Sequence, residues 1–289
     1  MFISFLIMIA FSIWNIHIYW YWIFYVVGFL ITYFFLKWVW KKRFFVKQKN
    51  VQDILEHSLE DLLIYLILWV LIGGRLWEVF IYQWPYFSQH LLEIFAVWHG
   101  WMSFVWWITW VLLAVLIFIK VKKLTFSDFV ILLSLLCVVA PFAIMLGRFG
   151  NYLNQELYGI MIPQLFLESH ESLSAFLAKI NIFHTYDLVD QNLRLNTNFL
   201  AIIFEWLIPF IIWLVLFTVQ LKRKKFKPFL NMGIFLILYS TARFVLEYFR
   251  VESQTQLIWW FTKSQRIFIV AFIIWIFMLC LHKKKIVEL

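Results

Sequence analysis

Long apolar runs alternate with short polar gaps along most of the chain. A run of about 20 residues crosses roughly 30 Å of hydrocarbon at about 1.5 Å per helical residue. Runs of that length lie near residues 16–36, 60–82, 94–119, 129–147, 199–219, 229–249 and 265–281. The pattern predicts an all-α integral membrane protein: a single polytopic domain over residues 1–289 with seven transmembrane helices.

The gaps are not alike. Lys37, Lys41, Lys42, Arg43, Lys47 and Lys49 follow the first run, whereas residues 83–93 after the second hold no Lys or Arg. Lys120, Lys122 and Lys123 follow the third, Lys222, Arg223, Lys224, Lys225 and Lys227 the fifth, and Lys283, Lys284 and Lys285 the seventh. Basic gaps stay in the cytoplasm, which predicts an N-terminus outside and a C-terminus inside. The longest hydrophilic stretch, 160–198 between spans four and five, then becomes a small extracytoplasmic insert. Residues 2–13 are apolar but lack the basic start and small-residue cleavage site of a secretory signal. They are expected to be retained as a short interfacial helix.

Composition agrees: 64% of residues are hydrophobic and 14% charged, against about 45–50% and 25% in soluble domains. The net charge of +9 sits in the gaps and forms no recognition helix, so it reads as topology and excludes a nucleic-acid partner. Cys137 and Cys280 fall in different spans as core thiols. Their spacing offers neither a disulfide framework nor a metal site, so no metal and no cofactor is expected.

With the membrane settled, charged residues beside the spans carry the chemistry, because an unpaired charge in hydrocarbon is costly. Three groups fall toward the outer face. Arg148 and Asn151 are three apart in GRFGNYLNQELYG, residues 147–159; Arg243, Glu247 and Arg250 follow an i, i+4, i+7 pattern; Arg75 and Glu78 end the second span. Arginine is a permanently charged fork of donors suited to phosphate, so the groups suggest recognition of an anionic lipid headgroup. Arg75 with Glu78 and Arg243 with Glu247 fit intrahelical ion pairs equally well. Glu205 stands in span five without a local cation; it is open to protonation, pairing with another helix, or a cavity.

The stretch GRFGNYLNQELYG resembles the signature of the prolipoprotein diacylglyceryl transferase family, Gly-Arg-x-Gly-Asn-x-x-Asn-x-Glu-x-x-Gly, at Gly147, Arg148, Gly150, Asn151, Asn154, Glu156 and Gly159. YWYWIFYVVGF (19–29), IGGRLWEVFIY (72–82), VWHGWMSF (97–104) and RFVLEYFR (243–250) resemble its first, second, third and sixth spans. The resemblance implies transfer of the diacylglyceryl group of phosphatidylglycerol to the lipobox cysteine thiol of prolipoproteins, at the outer face of the bacterial cytoplasmic membrane. It implies Arg148 and Arg243 as catalytic cations for the phosphate, with Asn151, Asn154 and Tyr21 orienting headgroup oxygens. Glu156 and Glu247 would hold the arginines or relay a proton, and Gly159, Arg250, Arg75 and Ser103 complete the substrate-binding set.

Two segments depart from the family pattern. Met-Ser-Phe is followed in the family by His-Gly-Gly, but here Met102, Ser103 and Phe104 precede Val105, Trp106 and Trp107. The histidine that would activate the thiol is therefore replaced by valine, and His99 is the possible replacement base. The family's His-Pro-Ser-Gln-x-Tyr-Glu is matched only by RLNTNFLA at 194–201. An active transferase and a non-catalytic paralogue that binds anionic phospholipid or lipoprotein both remain open.

Overall fold

The structure, a computed structural model, describes residues 9–13, 16–77, 79–80, 84–91, 94, 104–251, 257–258, 261–281 and 287–288. It is mostly helical. In chain order come α1 (Trp20–Lys41), α2 (Lys49–His57), α3 (Leu59–Trp77), α4 (Phe104–Val121) and α5 (Phe126–Leu153). Then follow α6 (Gln164–Ser169), α7 (Glu171–Lys179), α8 (Thr197–Ala201), a π-helical stretch Ile202–Leu207, α9 (Ile208–Lys222), α10 (Pro228–Glu247) and α11 (Lys263–Leu281).

Among the described residues, four helices are long and apolar enough to cross a membrane: Trp22–Lys41, Phe126–Leu153, Thr197–Lys222 and Pro228–Glu247. Helices α3, α4 and α11 occupy much of the other three apolar runs. Several of these helices leave large apolar side chains uncovered. Val26, Leu30 and Phe34 are exposed at i, i+4, i+8 on α1, and Ile211, Leu214 and Val215 on α9. Such stripes suit hydrocarbon as solvent, where covering apolar surface brings no hydrophobic gain.

The N-terminal expectation for residues 2–13 needs correction over 9–13; residues 2–8 lie outside the described residues. Ile9–Ile13 forms a strand, β1, paired antiparallel with β2 (Ile16–Tyr19), instead of an interfacial helix. Isoleucine recurs at 9, 13, 16 and 18, and β-branching favours the extended backbone. Hairpin pairing also satisfies backbone groups that a membrane surface would leave wanting.

The chain divides into two compact units: Phe29–Leu136 with Glu288–Leu289, and Met1–Gly28 with Cys137–Val287. In the first unit α3 packs on α4, Trp69 stacking on Trp110 with centroids 5.6 Å apart. Gly73 makes this possible, since a Cβ there would lie 1.9 Å from the Trp110 ring. Lys122 closes the other end with a 2.7 Å bond to Asp61.

In the second unit α10 packs along α11, with Phe268 edge-on to Tyr239. A capping box starts α11: Thr262 N–H donates to Gln265 Oε1, and Gln265 N–H to Thr262 Oγ1. Gln265 Nε2 then donates to the Phe244 carbonyl and so ties α11 to α10. The insert folds as α6, α7 and a small hairpin, β3 (Phe183–Thr185) on β4 (Leu193–Leu195). Its buried Tyr186 donates to Asn196 Oδ1, which also accepts the Phe199 N–H and caps α8.

Candidate functional site: a buried arginine–carboxylate cluster

The signature stretch starts inside a helix and ends in a turn. Helix α5 runs unbroken past the expected limit of span four to Leu153, so Arg148 and Asn151 do share a face. The helix then closes with the bonds of a Schellman turn: Glu156 N–H to Asn151 O at 2.9 Å and Gln155 N–H to Tyr152 O at 3.0 Å. Gln155 takes the left-handed conformation usually given to glycine, as does Leu157. Such strain persists only where neighbours hold it, and they do. Gln155 Oε1 accepts the Leu188 N–H, Thr197 Oγ1 donates to Leu157 O, and Asn198 Nδ2 donates to Glu156 O.

Gly159 ends the stretch against Leu195. Its N–H donates to the Leu195 carbonyl at 3.1 Å, and a Cβ at this position would stand 2.3 Å from that oxygen. The adjoining backbone runs beside residues 249–251: Gly159 bridges Arg250, and Ile160 N–H donates to Phe249 O. RLNTNFLA thus serves as the platform on which the turn rests, although it departs from the family pattern.

The turn of α5 and the end of α10 bring the arginines together around a residue that pattern reading left open. Glu205 is fully buried. Its Oε2 lies 3.1 Å from Arg148 Nε, and its Oε1 lies 3.4 Å from Arg243 Nη1. Glu247 Oε2 lies 3.0 Å from Arg243 Nη2 and 3.7 Å from Arg250 Nη1. All five side chains are buried. Three guanidinium groups against two carboxylates leave one formal positive charge.

Glu205 reaches the arginines because its helix is locally underwound. Pro209 has no N–H to offer the Glu205 carbonyl four residues back, and its ring crowds that carbonyl. The backbone responds with a π turn over Ile202–Leu207, in which Ile208 N–H bonds Ile203 O. Single π turns recur at functional positions. Phe142 of α5 seats against Trp206 and Phe210 and fixes the turn against α5.

The charge is unevenly satisfied. Arg243 Nε and Arg250 Nε and Nη2 have no hydrogen-bond partner among the described residues. Burial, then the nearby Arg243 and Arg148, pulls the Arg250 pKa well below the usual guanidinium value. A cation so placed favours an incoming anion.

The other expected residues fall as follows. Asn154 is buried and donates through Nδ2 to Glu156 Oε1 at 3.0 Å, just past α5. Tyr21 lies in the first turn of α1. Arg75 belongs to the other unit, where its Nε donates to Ile94 O and its guanidinium lies 4.9 Å from the Phe87 ring centroid. Glu78, His99 and Ser103 lie outside the described residues, while Val105 lies in α4. Among the described residues, no group of three His, Cys, Asp or Glu side chains could hold a metal ion.

A helical membrane protein that buries three arginines and two glutamates around one helix end is the class these features define. The chain belongs to the prolipoprotein diacylglyceryl transferase family, whose model matches residues 8–281. It is similar to proteins named phosphatidylglycerol–prolipoprotein diacylglyceryl transferase in several bacteria. The Desulfotalea psychrophila protein is 39% identical over 156 residues, 54% of each chain. Those of Rickettsia bellii and Citrobacter koseri are each 31% identical over 84% of this chain, and over 81% and 80% of their own lengths.

Proposed function

We propose that the protein transfers the diacylglyceryl group of phosphatidylglycerol to the lipobox cysteine of prolipoproteins, the first step of lipoprotein maturation. The buried Arg148–Glu205–Arg243–Glu247–Arg250 cluster carries this reading, because it offers one net positive charge and unused donors where the family signature ends. Family membership and the names of the relatives support it. In this proposal the chain crosses the bacterial cytoplasmic membrane seven times as a single polytopic domain. The N-terminus and the active site face outward, and the 160–198 insert lies outside.

The reaction needs a thiolate to attack the glycerol carbon that carries the phosphate. A C–S bond forms and the C–O bond breaks, with the electron pair leaving on glycerol phosphate and the thiol proton passing to water. Arg148 and Arg243 receive the phosphate and stabilise the second negative charge that develops on it. Arg250 adds its unused donors. Asn151, Asn154 and Tyr21 orient headgroup oxygens, and Glu156 and Glu247 hold their partners in place. A cysteine pKa of about 8.5 leaves a few per cent thiolate at neutral pH, so Val105 in place of histidine slows the reaction without forbidding it. His99 is the candidate acceptor should a side chain take the proton.

The test is direct. Purified protein, phosphatidylglycerol and a lipobox peptide should yield a thioether-linked diacylglyceryl peptide, detected by mass spectrometry. Lipid binding without product would instead support a non-catalytic paralogue. Without a side-chain base, the rate should rise about tenfold per pH unit below the thiol pKa of about 8.5. A break in the profile near pH 6.5 that vanishes in His99→Gln would assign the base to His99.

A further inference from the structure

Glu205 stands between the two arginines assigned to the phosphate. Each of its carboxylate oxygens serves a different one: Oε2 the Arg148 Nε at 3.1 Å, Oε1 the Arg243 Nη1 at 3.4 Å. Those donor atoms face the same centre that a phosphate would seek. The residue has no exposure, so water screens neither contact. An ordinary α-helical turn would not hold it there; the π turn ahead of Pro209 does. A carboxylate kept by so specific a backbone device, at the meeting point of two functional cations, has a task beyond neutralising charge for insertion.

Charge arithmetic suggests the task. The substrate is a phosphodiester with one negative charge, which matches the single net positive charge of the cluster. The product is a phosphate monoester, whose charge near neutral pH is about −1.5 to −2. Without the Glu205 charge the cluster would carry two net positive charges and hold that product more tightly than the singly charged substrate.

We propose that Glu205 is a positioning residue: an internal counter-ion that competes with the lipid phosphate for Arg148 and Arg243 and thereby sets how readily glycerol phosphate leaves. This rests on the transferase reading above. Removing the charge in Glu205→Gln raises the cluster to two net positive charges. Glycerol phosphate should then bind at least about tenfold more tightly, by competition with phosphatidylglycerol and by calorimetry. Turnover at saturating lipid should fall by a similar factor, with KM for phosphatidylglycerol lowered or unchanged. A residue that merely supported the fold would lower the melting temperature without tightening product binding.

Glycerol phosphate affinity within twofold of the unaltered protein, or weaker, in a Glu205→Gln protein that elutes and melts as a folded species overturns the proposal. Should that variant fail to fold, Glu205→Asp retains the charge but is too short to serve both arginines. It should show the same tightening on a smaller scale, and an unchanged affinity there is equally fatal. If the unaltered protein makes no thioether product, the transferase reading falls, while the calorimetric arm still decides the role of Glu205.

Discussion

Two arginine–carboxylate groups in this chain use the same chemistry to opposite ends. In the insert, Arg194 and Asp190 are four residues apart and face each other fork to fork, Nε to Oδ1 and Nη2 to Oδ2. One cation meets one anion, Nη1 finds the Gly159 carbonyl, and the guanidinium lies over Tyr158. Hydrogen bonding from Arg194 is the main cause that holds the Asp190 carboxyl down at about 2. In the cluster, three cations share two anions, Glu205 joins arginines from two other helices, and donor atoms stay unused. The balanced pair is finished as it stands and acts as a strut. The unbalanced one is stable only because its surroundings enforce it, and its residual charge makes it fit to receive a ligand.

Substitutions should separate the two. Arg243 touches both carboxylates, so Arg243→Ala should reduce transfer by at least about 10²–10³-fold. Arg148→Ala should lie in the same range. Full turnover in both would remove the cluster from the active site. Next comes Gly159→Ala, which forces a methyl into the Leu195 carbonyl and should destabilise the folded protein by about 1–3 kcal/mol, seen as a lower melting temperature. Arg194→Ala removes a half-buried strut and its bond to the Gly159 carbonyl but touches no residue of the cluster; transfer should stay within about threefold of the unaltered protein. A loss as deep as that of Arg243→Ala would erase the contrast drawn above.

The smallest effect concerns pH. Asp190 has a folded pKa below its unfolded value, so its contribution is present above about pH 4 and lost as pH falls toward about 2. Burial lowers the pKa of His184 in the insert, so its folded form prefers the neutral ring. That contribution is complete above about pH 6.5 and declines as pH falls through that value. Hydrogen-exchange protection in residues 183–195, corrected for the slower intrinsic exchange in acid, should therefore fall in two steps on acidification. His184→Gln should abolish the upper step and Asp190→Asn the lower.

Much of the helical scaffold was legible in the hydrophobic pattern, since apolar runs of membrane length leave the backbone few alternatives to a helix. Arg148, Arg243, Glu247 and Arg250 stood out because charge beside hydrocarbon demands a reason. Their partner did not. Glu205 is 57 residues from Arg148 and 38 from Arg243, and its inward aim depends on a π turn that no regular periodicity announces. The available signal was a lone acid inside an apolar span, with Pro209 four residues after it. The N-terminal hairpin was missed for a different reason: a short apolar run of β-branched residues is ambiguous between helix and strand until its pairing partner is known. The insert held too few repeats of any period to fix β3 against β4.

The π turn also gives this protein a peculiar sensitivity to length. Each residue of a regular helix advances the side chains by about 100°, and the turn at Ile202–Leu207 absorbs one residue more than an α-helix would. Deleting a single codon within it would leave a segment still apolar enough to insert. The flanks would rejoin as a regular α-helix in nearly unchanged register, because the π turn had taken up the extra residue, but Glu205 would lose the offset that sets it between Arg148 and Arg243. An in-frame loss too small to disturb membrane assembly would then part Glu205 from the arginines, yielding a protein made in normal amounts with its buried charges out of balance.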